Sequence, residues 1–183
     1  MDKMIKGNHQ GIIINVKDYE YADIDDILKK ESPLIVMLDH LEDPHNFGAI
    51  IRTCEAAGVD GIIIPKDRSV DVTNTVIKVS AGAANHMKIV PVTNLSKTIN
   101  DLKKKGFWFV GMDIDGTDYT KIDYKGKTCL IVGSEGFGMK RLVKESCDFI
   151  ASIPMYGKIN SLNASVAAGI IIYGAIKSRN ERI

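Results

Sequence analysis

The 183-residue sequence predicts an α/β protein built on a parallel six-stranded sheet with helices on both faces. Two observations carry that prediction. From Pro33 onward, short apolar runs rich in Ile and Val alternate with longer amphipathic stretches, as in repeated βα units. Most of these runs are apolar at successive positions rather than at every second one, the pattern of strands covered on both faces, which is largely confined to parallel sheets. With 45% hydrophobic and 26% charged residues, 16 Gly and 5 Pro, the composition is that of one ordinary globular domain, which excludes disorder and fibrous repeats.

Taken in order, the expected strands cover 34–38, 61–64, 87–92, 107–112, 129–132 and 149–153. Helices are expected over 47–57, 72–80, 95–105, 140–145 and 163–178, with Asp71 and Asn94 as N-caps. Ahead of them, 11–16 reads as a strand. Residues 22–30 read as a short helix whose Asp23, Asp25 and Asp26 lead to Lys29 and Lys30, complementing the helix dipole. No internal repeat is present.

Composition narrows the functional classes. The 24 basic and 23 acidic residues leave a formal charge of +1, so no long-range field announces nucleic acid, and RNA binding must use local patches. Cys54, Cys129 and Cys147 form no CxxC pair and fall in apolar segments, as buried thiols of a reduced cytoplasm would. The first residues lack a signal-peptide core and the longest apolar run, 166–176, is about half a membrane span, so neither export nor membrane insertion is expected. His9, His40, His45 and His86 have no metal-ligand spacing and read as surface or loop residues, so no metal is expected.

The candidate chemistry lies elsewhere. No G-x-G-x-x-G follows the first strand and no GK[ST] phosphate loop occurs, which removes the usual support for a nicotinamide- or nucleotide-binding enzyme. Instead a glycine-rich segment, Gly133-Ser134-Glu135-Gly136-Phe137-Gly138, follows the fifth strand, where open α/β sheets bind ligands. Arg52 interrupts an otherwise apolar helix, either for a function or to pair with Glu55 one turn on. Asn46 is either a functional amide or the cap of that helix, and Glu135 either a site carboxylate or a turn residue. Ser161 to Ser165 either cap the last helix or line a site. That helix is apolar nearly all round and carries Gly169 and Gly174, suiting a buried core helix or a subunit interface.

Three segments together resemble the signature motifs of the SpoU (TrmH) family of RNA ribose 2′-O-methyltransferases, a branch of the SPOUT superfamily. They are Asn46-Phe47-Gly48-Ala49-Ile50-Ile51-Arg52-Thr53-Cys54-Glu55-Ala56, Leu130-Ile131-Val132-Gly133-Ser134-Glu135-Gly136-Phe137-Gly138-Met139, and Ile153-Pro154-Met155 with Ser161-Leu162-Asn163-Ala164-Ser165-Val166-Ala167. The resemblance covers nearly the whole chain and is closest to RlmB-like members, which methylate a guanosine of large-subunit ribosomal RNA.

The resemblance implies a C-terminal deep trefoil knot, which periodicity cannot reveal and general topology rules disfavour. It implies S-adenosylmethionine as cofactor, with Gly133, Ile153 and Leu162 at its binding positions, joined by the neighbouring Val132, Ser134, Met155 and Asn163. It implies a homodimer with the active site near the interface, and RNA, ribosomal or transfer, as substrate. The resemblance assigns the central catalytic role to Arg52, and Asn46, Glu135, Ser161 and Asn163 are expected to orient it, the ribose and the cofactor. A guanidinium hardly ever yields its proton, so Arg52 is expected to hold a phosphate and the nascent alkoxide rather than act as a base. RlmB-like proteins carry an RNA-binding domain ahead of a segment like Gly7 to Ile12, so 1–17 reads as the remnant of a linker and 18–183 as the catalytic domain. A non-catalytic RNA-binding or ribosome-assembly module is the alternative from another class.

Overall fold

The computed structural model describes residues 19–181; the expected strand over 11–16, the segment 1–17 and His9 lie outside the described residues. Six strands form one sheet: β1 (Leu34–Asp39), β2 (Gly61–Pro65), β3 (Ile89–Val92), β4 (Trp108–Asp118), β5 (Thr128–Gly133) and β6 (Phe149–Ser152). Their order is β3-β2-β1-β5-β4-β6 and every pairing is parallel. All six residues of β1 are buried, as the unbroken apolar run required.

The two-residue period of the strands divides the core between the faces. Leu34, Val36, Leu38, Leu130 and Val132 pack with Phe47, Ile50 and Ile51 of α1 (Pro44–Ala56), Val76 of α2 (Asn74–Val79) and Ile171 and Ile172 of α5 (Ala164–Asn180). On the opposite face Ile35, Met37, Cys129 and Ile131 pack with Leu95, Ile99 and Leu102 of α3 (Leu95–Lys104) and Val143 of α4 (Arg141–Glu145). Each such aliphatic side chain contributes about 1.5–3 kcal/mol on full burial. Exposed pairs such as Arg141–Glu145 (2.8 Å) contribute under about 1 kcal/mol, so the two-sided core holds the fold. No helix among the described residues is long and apolar enough to cross a membrane.

The chain order makes a crevice. From β1 the chain steps outward to β2 and β3, then crosses over to β4, and β5 fills the place between β4 and β1. The direction of winding therefore reverses beside β1, and the carboxyl ends of β1, β5 and β4 border the opening where α/β sheets take ligands.

Several element boundaries differ from the sequence expectation. Residues 22–30 make only one 3-10 turn, Ile24–Ile27, because Ile27 is buried against Gly61, where a side chain would collide with it, and the chain must then enter β1. Thr73 caps α2, its hydroxyl accepting from the Val76 amide at 3.4 Å, while Asp71 accepts a hydrogen bond from the Tyr21 hydroxyl. Asn94 caps α3 as expected, accepting from the Lys97 amide. α1 begins three residues early because Asp43 accepts from the His45 and Asn46 amides and Pro44 takes the first helical position. β4 runs on to Asp118, with an irregularity in its pairing with β6 between Met112 and Thr117.

α5 is anchored at both levels of the fold. A Cβ at Gly174 would lie 2.6 Å from the Tyr119 ring, so this glycine permits the close approach, whereas Gly169 meets only Thr53 at ordinary distance. Near the helix end, Arg179 donates to the carbonyls of Tyr124 (2.8 Å), Gly126 (2.7 Å) and Ser32, tying the C-terminal helix to the entry of β1 and β5. Arg179→Ala is expected to destabilise the protein by about 2–3 kcal/mol, since several charge-assisted bonds to carbonyls are lost together. Chemical denaturation reads this directly, and Arg179→Lys is expected to recover only part because a lysine cannot reproduce the guanidinium fork.

Candidate active site

A cleft of about 720 Å³ opens at the carboxyl ends of β5 and β6, beside the irregularity in the middle of β4. Its walls come from three stretches distant in sequence: Met112 to Ile114 in the middle of β4, where its pairing with β6 is interrupted, Val132 to Gly138 at the end of β5, and 153–167 after β6, including Ile153, Met155, Ser161, Leu162 and Asn163. Every residue expected at the cofactor positions, Val132, Gly133, Ser134, Ile153, Met155, Leu162 and Asn163, lines it.

The glycine-rich loop owes its shape to backbone constraints. Ser134 and Gly138 exchange backbone hydrogen bonds of 3.0 and 2.9 Å, closing the loop into a tight bridge. Gly136 and Gly138 have φ of +80° and +66°, the left-handed region that glycine enters without penalty. A Cβ on Gly133 would collide with the backbone of Gly138 and Met139, so the close return of the loop itself requires this glycine.

One carboxylate joins two of the motifs across the cleft. Glu135 Oε1 accepts from Asn46 Nδ2 at 2.5 Å and from Asn163 Nδ2 at 3.0 Å. Asn46 is a buried residue of α1, not its cap, so its amide needs this partner. Asn163 does both tasks left open by the sequence: its Oδ1 caps α5, accepting from the Ser165 and Val166 amides, while its Nδ2 reaches Glu135. Ser161 lines the cleft, and the cap of α5 also takes the Ser165 hydroxyl at 2.6 Å.

Arg52 stands apart from this cluster. It is exposed on α1, about 9 Å along the axis from Asn46. Among the described residues it forms no pair with Glu55, and it does not line the cleft. Its charge is left available to an incoming anion.

Asp113 and Asp39 escaped the sequence reading. Asp113 lines the cleft; burial alone would raise its pKa, but the hydrogen bond and charge of Lys144 at 2.6 Å and the Ile114 amide hold it below its ordinary value. The stability it contributes is present above the unfolded carboxyl's pKa and lost as pH falls through the lower folded value. Asp39 is fully buried at the end of β1, accepting from the Lys140 amide at 2.6 Å and sharing Oδ1 with His40 Nδ1 at 2.5 Å. Both signals were faint: each is a single acid directly after an apolar run, Leu34 to Leu38 and Phe107 to Met112. His40 is half-buried and held by Asp39, whereas His45 and His86 are exposed. Burial pushes the Cys54 and Cys129 thiols up and takes Cys147 to about 11, so none is a nucleophile at neutral pH.

The cleft fits an S-adenosylmethionine-sized, cationic ligand. Its volume falls in the range of small-molecule sites, Val132, Ile153, Met155 and Leu162 supply apolar walls, and its charged residues are the acids Glu135 and Asp113, with no Lys or Arg in the lining.

Comparison with known proteins agrees with this geometry. The model of the SpoU rRNA Methylase family matches residues 33–173. YacO of Bacillus subtilis, a TrmH family protein named for tRNA/rRNA methylation, is 48% identical over 186 residues, covering 98% of this chain and 75% of YacO. The SpoU methyltransferase AviRb of Streptomyces viridochromogenes, solved in complex with its cofactor AdoMet, superposes with a TM-score of 0.80 at 30% identity, over 86% of this chain and 65% of AviRb. A solved RNA 2′-O ribose methyltransferase superposes with a TM-score of 0.74 at 25% identity, over 88% of this chain and 60% of its own. The chain thus spans less than two thirds of these two solved proteins.

Glu135→Ala is expected to cost about 1–3 kcal/mol by leaving the buried Asn46 amide without its acceptor, and Glu135→Gln distinctly less, since the oxygen remains. Urea midpoints of the two variants measure this; equal midpoints for Glu135→Ala and the parent protein would contradict the bridging role.

Proposed function

This chain belongs to the SpoU rRNA methylase family of S-adenosylmethionine-dependent RNA methyltransferases, and on that premise we propose that it methylates a ribose 2′-hydroxyl of structured RNA. The observation that carries the proposal is the single cleft lined by all the cofactor-position residues, in which Glu135 bridges Asn163 to Asn46 of α1, the helix of Arg52. The likeness to a solved RNA 2′-O ribose methyltransferase supports the choice of hydroxyl, and the rRNA description of the matching family supports ribosomal RNA as target, with transfer RNA the competing substrate; the target within ribosomal RNA that we propose is a guanosine of the large subunit.

S-Adenosylmethionine supplies an electrophilic methyl group when bound. Gly133 lets the loop backbone return closely on itself at the cleft wall; Ile153, Met155 and Leu162 would exclude water from the apolar part of the cofactor, and Val132, Ser134 and Asn163 would complete the wall. The carboxylate of Glu135 would favour the positive charge of the sulfonium. On the RNA side, the Arg52 guanidinium offers donors only: it holds the target phosphate and stabilises the charge that develops on the 2′-oxygen as the hydroxyl proton leaves to solvent. Asn46, Glu135, Ser161 and Asn163 orient these parties, so positioning and electrostatics carry the rate.

The same reading includes a homodimer. α5 exposes Val166 and Tyr173 two turns apart and packs against α1, so pairing through α5 sets Arg52 beside the interface. We assign catalysis to residues 18–183, the C-terminal segment to the trefoil path of the family, and the protein to the cytoplasm.

The test is methyl transfer from labelled S-adenosylmethionine to ribosomal RNA fragments and to transfer RNA, with the product mapped as a 2′-O-methylated nucleotide by its resistance to alkaline cleavage. Arg52→Lys is expected to lower kcat by ~10²-fold or more with cofactor affinity unchanged, because lysine keeps the charge but loses the planar fork. Near-full turnover by that variant would overturn the role of Arg52, and base methylation would overturn the ribose assignment.

A further inference from the structure

A second cleft, of about 700 Å³, opens at the carboxyl ends of β1, β2 and β3. It is similar in size to the first and opposite in charge. Arg68, Lys140 and Arg141 line it against a single exposed carboxylate, Asp67, whereas the first cleft has acids and no cation in its lining. Arg68 and Lys140 form no ion pair among the described residues, while Arg141 meets only the exposed Glu145 on its own helix. Asn94, Leu95 and Ser96 add the amino end of α3, whose dipole favours the same sign of ligand.

The cations are exposed, and the backbone that carries Lys140 is anchored from beneath. The Lys140 amide is held at 2.6 Å by the fully buried Asp39, which also fixes the His40 ring in the cleft wall. His40 and Arg68 are two of the three described non-glycine residues with positive φ (57° and 54°), backbone conformations that cost energy and are kept where the surroundings enforce them. Asp39 pairs in register with Gly133, so the loop from Gly133 to Lys140 leaves the first cleft and arrives in the second. A polyanion lying across that loop spans from the cationic cleft to the acidic one.

Resting on the reading of the first cleft as a methyl-donor site for RNA, we propose that the second cleft binds the sugar-phosphate backbone of that RNA, beside the target nucleotide, through Arg68 and Lys140 with Arg141. Phosphate contacts fix register and are sequence-independent, which suits a convergent set of cations with few base-reading groups. A chain of net charge +1 can hold RNA in this way because its charge is segregated between two clefts.

The experiment is titration of a fluorescein-labelled hairpin RNA of mixed sequence with the full chain over a salt series, with calorimetric S-adenosylmethionine titration in parallel. Arg68→Ala combined with Lys140→Ala is expected to weaken RNA binding by roughly tenfold or more at low salt and to reduce the slope of log affinity against log salt by about 1.5–2, with cofactor affinity unchanged. Lys104→Ala with Lys105→Ala, at the opposite end of the strands, is expected to leave both unchanged. RNA affinity and slope unaltered by the first pair, or altered equally by both pairs, would overturn the proposal while leaving the methyltransferase reading intact. A parent chain that bound neither RNA nor cofactor would overturn both.

Discussion

The site depends on one carboxylate shared between two amides. Glu135 sits on a glycine loop at the end of β5, Asn46 on α1 and Asn163 at the cap of α5, and these segments lie 89 and 28 residues from it in sequence. α1 and α5 already pack together on one face of the sheet. The carboxylate sets where their amino ends meet the loop, because a buried amide such as Asn46 must find an acceptor, and a carboxylate gives a stronger bond than a neutral group. Once the three meet, the loop bridge at Ser134 and Gly138 and the cap of α5 fix the cleft walls.

Around that junction the protein separates its charges. The cofactor-sized cleft presents Glu135 and Asp113, and the neighbouring cleft presents Arg68, Lys140 and Arg141, with Asp39 buried beneath the strand ends that divide them. A sulfonium and a phosphodiester are ligands of opposite sign that must be brought side by side for methyl transfer to RNA. A uniformly basic surface would attract the RNA but disfavour the cationic donor; segregation at the switch point of one sheet accommodates both.

Much of this was legible in the sequence, and the physical reasons are specific. The strands showed themselves because burial on both faces demands unbroken apolar runs, as in Leu34-Ile35-Val36-Met37-Leu38. The site glycines showed themselves because the loop cannot close with a side chain at 133. Strand order was out of reach: nothing local to β5 says that it inserts between β1 and β4. The start of α1 was misplaced because the capping competence of Asp43 was read past in favour of Asn46, whose amide is committed to a residue 89 positions away. The same long range hid Asp39, whose meaning lies in the amide of Lys140, 101 residues on. Asn163 shows why the choice between cap and site was ill-posed: one side chain uses its oxygen for the helix and its nitrogen for the cleft.

The central claim, that the Glu135-bridged cleft is a methyl-donor site, is tested most directly by calorimetric titration of the purified chain with S-adenosylmethionine and S-adenosylhomocysteine, with NAD as a control and the oligomeric state followed by light scattering. The account predicts one cofactor bound per chain of a dimer and no binding of NAD. A folded protein that bound neither S-adenosylmethionine nor its demethylated product would contradict it.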